Sequence, residues 1–360
     1  MTRVNIEGFN TVSIAPFCQH FENCGGCSFQ HWNEATYRNW KREKLVTALA
    51  HRSLDVPVAD VIDAHGAGRR RVVFHVREMD GQWCAGFMAP KSHDLVALDA
   101  CPVLVKEFIN APAMAATFGP VLGPCDVAMT MADQGVDVSI KAERSAGMKR
   151  LPHLQELFHR HKLSRLNVNG DTVFAAGTPT VTIGKARVPL PVDSFLQATQ
   201  QGEEMLAGLV ATALFKSKYV CDLFCGIGPF ALRLAETLRV HAVDIDAKAI
   251  TCLTAAVNAT PGLKPITLET RDLFRNPLVH QELNEFDAVV LDPPRAGAEA
   301  QCRNLAKSKV KRIAYVSCDV QSFARDAKIL VAAGFKLKGV TPVDQFKWTA
   351  HIECVGDFQR

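Results

Sequence analysis

The sequence predicts an α/β protein whose carboxyl-terminal part is a doubly wound, mostly parallel sheet, preceded by a cysteine-rich loop and a run of antiparallel strands. Three observations carry this reading. From Lys218 onward short apolar runs alternate with helical patterns, in the order YVCDLF, PFALRLAETL, RVHAVDID, AKAITCLTAAVNA, ITLETRD, FDAVVLD and KRIAYVSC; such alternation needs crossover connections and hence parallel strands. Ahead of it, RRRVVFHV, WCAGFMAP and DLVALDACPV read as short strands broken by Gly, Asp and Pro, as in an antiparallel sheet. Ahead of both, CQHFENCGGC sets three cysteines within residues 18–27.

Taken in order, residues 1–60 hold the cysteine loop and a helical stretch, HWNEATYRNWKREKLVTALAHR. Residues 61–185 form the central antiparallel region, and residues 186–360 the doubly wound domain. That domain begins with VPLPVDSFLQATQQGEEMLAGLVATAL, which passes through prolines and becomes an amphipathic helix. A chain of 360 residues is too long for one ordinary core, and 48% hydrophobic with 22% charged residues is a globular composition that excludes general disorder. No apolar run approaches the roughly 18 residues of a membrane span, and MTRVNIEGFN lacks the apolar stretch of a leader, so a cytoplasmic, monomeric protein without a membrane partner is expected. A net charge of +4 does not by itself indicate a polyanionic partner. Arg69, Arg70 and Arg71 are a candidate basic run, against the plainer reading of a solvated face.

Twelve cysteines in a chain this long are not disulfide density, and in reducing cytosol they read as metal ligands, catalytic groups or buried small side chains. The spacing C-x5-C-x2-C at Cys18, Cys24 and Cys27, with a distant Cys101-Pro102, offers four thiolates to an iron-sulfur cluster or a zinc ion. Spacing alone does not separate the two. Cysteines 84, 125, 221, 225, 252, 302 and 354 read as small apolar residues.

The most informative loop is DLFCGIGPFALRLAE, residues 222–236. Gly226 and Gly228 let the backbone turn tightly between a strand and a helix, so that free amide groups face a ligand. The next strand ends in VDID and places Asp244 where a carboxylate accepts hydrogen bonds from both hydroxyls of a ribose. The third glycine of a dinucleotide fingerprint is absent, with Phe230 near its place, which favours an adenosyl ligand without pyrophosphate. Two strands on, LDPPRAG sets Asp292, two stiff prolines and Arg295 at a strand tip, and AYVSCD brings Cys318 to the same carboxyl edge of the sheet. A thiol and a carboxylate then share one crevice.

With these motifs in view, the chain resembles the RNA 5-methyluridine methyltransferases, enzymes that use S-adenosylmethionine to modify uracil in ribosomal or transfer RNA. The resemblance spans nearly the whole chain through CQHFENCGGC, CPVL, SFLQ, DLFCGIGPF, LDPPRAG, VSCD and HIECV. It implies a Rossmann-like methyltransferase domain behind an iron-sulfur and antiparallel-sheet region that binds RNA. It implies that Gln197, Phe224, Asp244, Asp272 and Asp292 hold S-adenosylmethionine, that Cys318 is the nucleophile and that Glu353 is the base. It also tips the four-cysteine site toward a four-iron four-sulfur, [4Fe-4S], cluster, as in the ribosomal-RNA members, so 23S rRNA is favoured over tRNA. Barrel-bearing members start with an RNA-binding β-barrel, whereas 17 residues precede Cys18 here, room for at most one strand, TRVNI.

The chemistry explains why a thiol and a carboxylate belong together. Carbon 5 of uracil is a poor nucleophile until a thiolate adds to carbon 6, and after methylation a base must take the carbon 5 proton so that the thiol can leave. With an ordinary thiol pKa near 8.5, some activation of Cys318 is expected, and Arg295 is the candidate for it. A non-methylating iron-sulfur redox sensor that binds RNA would keep the amino-terminal cysteines but has no use for Cys318 and Glu353 together.

Overall fold

The computed structural model describes residues 13–360, so the TRVNI stretch lies outside the described residues. In chain order the strands are β1 Ile62–Asp63, β2 Arg71–Met79, β3 Gln82–Met88, β4 Leu95–Ala97, β5 Cys125–Ala132, β6 Gly135–Ala142, β7 Arg165–Val168, β8 Asp171–Ala175, β9 Thr180–Ile183 and β10 Ala186–Pro189. Then follow β11 Tyr219–Leu223, β12 Arg239–Asp244, β13 Ile266–Thr270, β14 Ala288–Leu291, β15 Arg312–Ser317, β16 Lys336–Asp344 and β17 Glu353–Gln359. They form an eight-stranded sheet ordered β1-β16-β17-β15-β14-β11-β12-β13, a seven-stranded sheet ordered β4-β3-β2-β5-β6-β7-β8, and the β9-β10 hairpin.

In the larger sheet β11 pairs in parallel with both β12 and β14. The chain runs outward through β12 and β13, then returns to the other side of β11, which makes β11 and β14 the point where strand order reverses. A crevice opens beyond the carboxyl ends at such a point. Every residue of β14 is buried and so are the last five of β15, because helices cover both faces. The helices Gln200–Ala213 and Ala247–Ala259 pack on one face, and Glu34–Ala50, Glu299–Lys307 and Val320–Ala332 on the other. Strand β17 lies antiparallel between β15 and β16.

The central sheet is antiparallel at every pairing except β6 with β7, which run parallel because the helix Leu151–Arg160 carries the chain across between them. Phe74, Phe118, Leu154 and Phe158 fill the core beneath this sheet.

Two segments pack apart from their neighbours in sequence. The helix Glu34–Ala50 buries Leu45, Ala48 and Leu49 beside Phe323 and Leu330, and β1 pairs with β16, so both belong to the large sheet. The β9-β10 hairpin buries Val181, Ile183 and Val188 with Val220 and Val290. The helix is nailed down by a wholly buried ion pair, Lys41 Nζ to Asp344 Oδ1 at 2.5 Å, while the Tyr37 hydroxyl donates to Asp344 Oδ2 at 2.8 Å. Asp344 thereby fixes the turn between β16 and β17.

Candidate active site

At the crevice lies a cavity of about 520 Å³, lined among others by Gln197, Phe224, Gly226, Asp244, Asp272, Asp292, Cys318 and Glu353. Gly228 stays behind the wall: at φ +86° its absent Cβ would stand 2.6 Å from Leu253 Cδ1, so the glycine lets the helix Ala247–Ala259 approach the loop. Gly226, at φ +52°, has open space around it and is needed for the turn itself. Phe224 also adopts a left-handed backbone, φ +66°, unusual outside glycine and held by its amide bond to Val243 O at 2.9 Å. The helix after this loop is a single turn, Ala231–Leu234, shorter than the sequence pattern implies.

Backbone amides orient the acidic side chains. Asp244 accepts Gly226 N–H on Oδ2 and Asp246 N–H on Oδ1, both at 2.8 Å, which aims its remaining lone pairs into the cavity. Asp272 accepts the N–H groups of Phe274 and Arg275 at 2.9 and 3.1 Å. The arginine run at 69–71 is not a solvated face. Arg70 is buried, pairs with Glu203 at 2.5 Å and donates to the Gln197 carbonyl at 3.1 Å, so it holds the SFLQ loop against the cavity. Arg233 meets the other oxygen of Glu203 at 2.8 Å.

Cys318 sits directly after β15 and Glu353 opens β17. Burial pushes the Glu353 carboxyl up to about 7, against the pull of a hydrogen bond from Gln345 and of Arg295. Asp292 is raised well above the carboxylate range by burial, with Glu353, Asp222 and Asp244 adding to it. The expected activation of Cys318 is not found. Burial, then Glu353 and Asp292, push its thiol up to about 11, and Arg295 pulls the other way too weakly to reverse them. Nor does the helix Val320–Ala332 help, since the Asp319 side chain already accepts the N–H groups of Gln321 and Ser322.

A second cavity, about 360 Å³, is lined by Cys18, Cys24, Cys27 and Cys101 together with Arg69. Gly26 N–H points at Cys24 Sγ at 3.3 Å, and burial raises Cys27 and drives Cys101 up to about 12. The four thiols surround a void rather than meeting at a point: among the described residues no three His, Cys, Asp or Glu side chains are gathered so as to hold one metal ion. The loop is tied to the central sheet by Gly25 N–H to Met88 O at 3.0 Å, and to the β16-β17 turn by Ser28 N–H to Trp348 O at 2.8 Å. Of the other cysteines, 125, 221, 225, 302 and 354 are buried and 84 and 252 are half-buried.

Three residues at or beside the site went unread in the sequence. Ile245 and Phe274 line the crevice although 60% and 49% exposed, and Phe274 packs on the Phe224 ring at 5.5 Å. An apolar residue inside the polar turn DIDAK was a signal for the first. Gln345 touches Glu353, and no motif marks it. No helix among the described residues is long and apolar enough to cross a membrane.

Comparison with known proteins agrees with this geometry. The family model described as tRNA (Uracil-5-)-methyltransferase matches residues 181–358, from the β9-β10 hairpin through β17. An uncharacterized RNA methyltransferase of Brucella suis is 42% identical, the match covering 94% of this chain and 83% of the relative. The 23S rRNA (uracil(1939)-C(5))-methyltransferase of Halomonas elongata is 31% identical over 95% of this chain and 76% of its own length. In fold, the chain is similar to the Pyrococcus abyssi tRNA (uracil-54, C5)-methyltransferase solved with S-adenosyl-L-homocysteine, with a TM-score of 0.74, 21% identity, and coverage of 93% and 84% of the two chains. The crevice with its thiol and carboxylates and the near full-length identity to these relatives together establish that the chain belongs to the RNA uracil-5-methyltransferase family.

Proposed function

We propose that the protein transfers a methyl group from S-adenosylmethionine to carbon 5 of a uracil in 23S rRNA, through a covalent Cys318 adduct at carbon 6. The observation that carries this reading is the meeting of Cys318 and Glu353 at one cavity that is also lined by the oriented carboxylate of Asp244. S-adenosylmethionine, when bound, supplies an electrophilic methyl group. Asp244 accepts hydrogen bonds from its ribose, with Gln197, Phe224, Gly226, Asp272 and Asp292 completing the enclosure. Cys318 loses its Sγ proton to solvent and the thiolate forms a bond to carbon 6, which shifts the carbon 5–carbon 6 electron pair toward carbon 5 and its neighbouring carbonyl oxygen. Carbon 5 takes the methyl group as its bond to the sulfonium breaks and a neutral thioether is left; Glu353 then takes the carbon 5 proton, the double bond re-forms and Cys318 leaves as thiolate. A carboxyl with its pKa near 7 suits that proton transfer at neutral pH.

Ribosomal RNA is favoured by the 31% identity to the Halomonas rRNA enzyme over 95% of this chain. Cys18, Cys24, Cys27 and Cys101 suit a [4Fe-4S] cluster, because all four thiols line one cavity with room for more than a single ion. There the cluster would supply four bonds that bind Cys101, next to the central sheet, to the cysteine loop. The test is nucleoside mass spectrometry of RNA from a deletion strain and its parent, with the missing 5-methyluridine mapped to its molecule. Loss from 23S rRNA is the expected result. Loss from tRNA alone would move the substrate, and no loss of 5-methyluridine would end the reading.

A further inference from the structure

The turn between β16 and β17 carries a side chain with an unusual set of partners. Gln345 is 0% exposed, and its Nε2 donates to Gln197 Oε1 at 2.6 Å and to Glu353 Oε1 at 3.2 Å. Gln197 in turn donates to Asp292 Oδ2 at 3.4 Å. One buried amide therefore joins the carboxylate at the tip of β17 to the SFLQ loop and, through it, to the carboxylate at the tip of β14.

The orientation of that amide is dictated by its neighbours. Turned over, its oxygen would face the Gln197 oxygen and would meet Glu353 only as an acceptor of its acid proton, so the amide donates to Glu353 in the carboxylate form that serves as base. As it stands, Gln345 Oε1 accepts no hydrogen bond among the described residues and rests on Gly202. A Cβ on Gly202 would lie 2.8 Å from both Cβ and Oε1 of Gln345. This explains a glycine in the first turn of the helix Gln200–Ala213, where almost any other residue forms helix better. From behind, Asp344 fixes the turn through Lys41, Tyr37 and the Phe346 amide at 3.0 Å.

Resting on the uracil-methylating reading above, we infer that Gln345 is a positioning residue for the base: its amide holds Glu353 toward Cys318 and keeps the carboxylate in its proton-accepting form. It is the one side chain among the described residues that donates a hydrogen bond to Glu353. A donor favours the charged form of a buried carboxyl, whereas burial opposes it. The other groups facing Glu353 are Asp292 beyond β14, the thiols of Cys318 and Cys354, and Arg295. Asp344 is already paired with Lys41. Arg295 acts on Glu353 through its charge, without a hydrogen bond. Without Gln345 the carboxyl would titrate higher and lose its fixed rotamer.

Gln345→Met tests this, because it keeps length and volume and removes the donor; Gly202→Ala keeps the amide and displaces it. Both are compared with the unaltered full chain in single turnovers on a 23S rRNA transcript with methyl-labelled S-adenosylmethionine, from about pH 6 to pH 9. Denaturing electrophoresis separates the covalent methylated adduct from released product. Both variants should form the adduct and, at pH 7, release product about ten-fold more slowly or worse, as expected for a lost hydrogen bond to a charged group. The defect should shrink toward pH 9, measured at saturating S-adenosylmethionine because Gln345 also bonds Gln197 of the cofactor wall. Gln345→Glu, which places a like charge beside Glu353, should be slower than Gln345→Met at pH 7. Release at the unaltered rate, or a loss equal at every pH, overturns the inference. If the unaltered protein itself makes no 5-methyluridine, the functional reading fails and this inference with it.

Discussion

Cys318 and Glu353 stand at the open end of one antiparallel ladder: Ser317 of β15 pairs with Cys354 of β17, so the next couple outward is the thiol and the carboxylate. Their 35-residue separation in sequence is bridged by β16, which forces β17 back between β15 and itself. The two groups thus share a rigid sheet edge, which fixes relative position better than loops do.

Asp244→Ala should weaken S-adenosylmethionine binding by roughly 1 to 3 kcal/mol, the worth of hydrogen bonds to a charged acceptor. The carboxylate is already oriented by the Gly226 and Asp246 amides, so the substitution removes a pre-positioned acceptor. Titration calorimetry reads the change, and equal affinity would remove Asp244 from the cofactor site.

Asp222, wholly buried under the glycine loop, should make the fold weaker as pH rises. Burial, with help from Asp244, pushes its carboxyl up to about 8, and neither of its oxygens accepts a hydrogen bond among the described residues. A raised acid favours folding while protonated, so the stabilisation is present below the ordinary carboxyl pKa and is lost as pH climbs toward 8. The loss is on the order of 5 kcal/mol from linkage. Asp222→Asn should therefore melt like the unaltered protein near pH 4 and clearly higher near pH 8. Melting curves that stay superimposed at both values would show that Asp222 ionises normally.

On the proposed cluster reading, Cys101→Ser should abolish iron and sulfide binding although residue 101 lies far from the cysteine loop in sequence, since the four thiols line one cavity. Anaerobically purified protein is expected to be brown and to hold iron and sulfide, and the variant to lose both. Stoichiometric zinc without iron in the unaltered protein would replace the cluster with a single ion.

Much of the site was legible because strand tips announce themselves. VDID, LDPPRAG and VSCD each close an apolar run with a polar group, and in a parallel sheet all such ends point to one crevice. What escaped depends on contacts that no local pattern encodes. Gln345 is polar within a turn, like many surface residues, and only the packing of Gly202 beneath it shows that it is buried. The same holds for the arginine run, where Arg70 becomes interior because Glu203, 133 residues away, meets it. The rise of the Cys318 thiol was hidden for a related reason: Arg295 pulls it down, but burial and the Glu353 and Asp292 carboxyls, which only the sheet brings beside it, outweigh that cation.

Those carboxylates lead to the prediction that tests the chemistry itself. With its thiol raised to about 11, Cys318 is almost wholly protonated at neutral pH, so addition to carbon 6 must be coupled to loss of the Sγ proton. Adduct formation should accelerate steadily between about pH 7 and pH 9, close to ten-fold per unit while the thiolate stays a small fraction. Glu353→Gln removes the group that accepts the carbon 5 proton and also one of the charges that raise the thiol. That variant should form the adduct at least as fast as the unaltered protein, methylate it, and then stall as a covalent RNA complex that survives denaturing electrophoresis. Cys318→Ala must abolish both the complex and all methyl transfer. Uridine methylation by Cys318→Ala would end the covalent mechanism, whereas normal turnover by Glu353→Gln would move the base to Asp292, the other carboxyl beside the thiol.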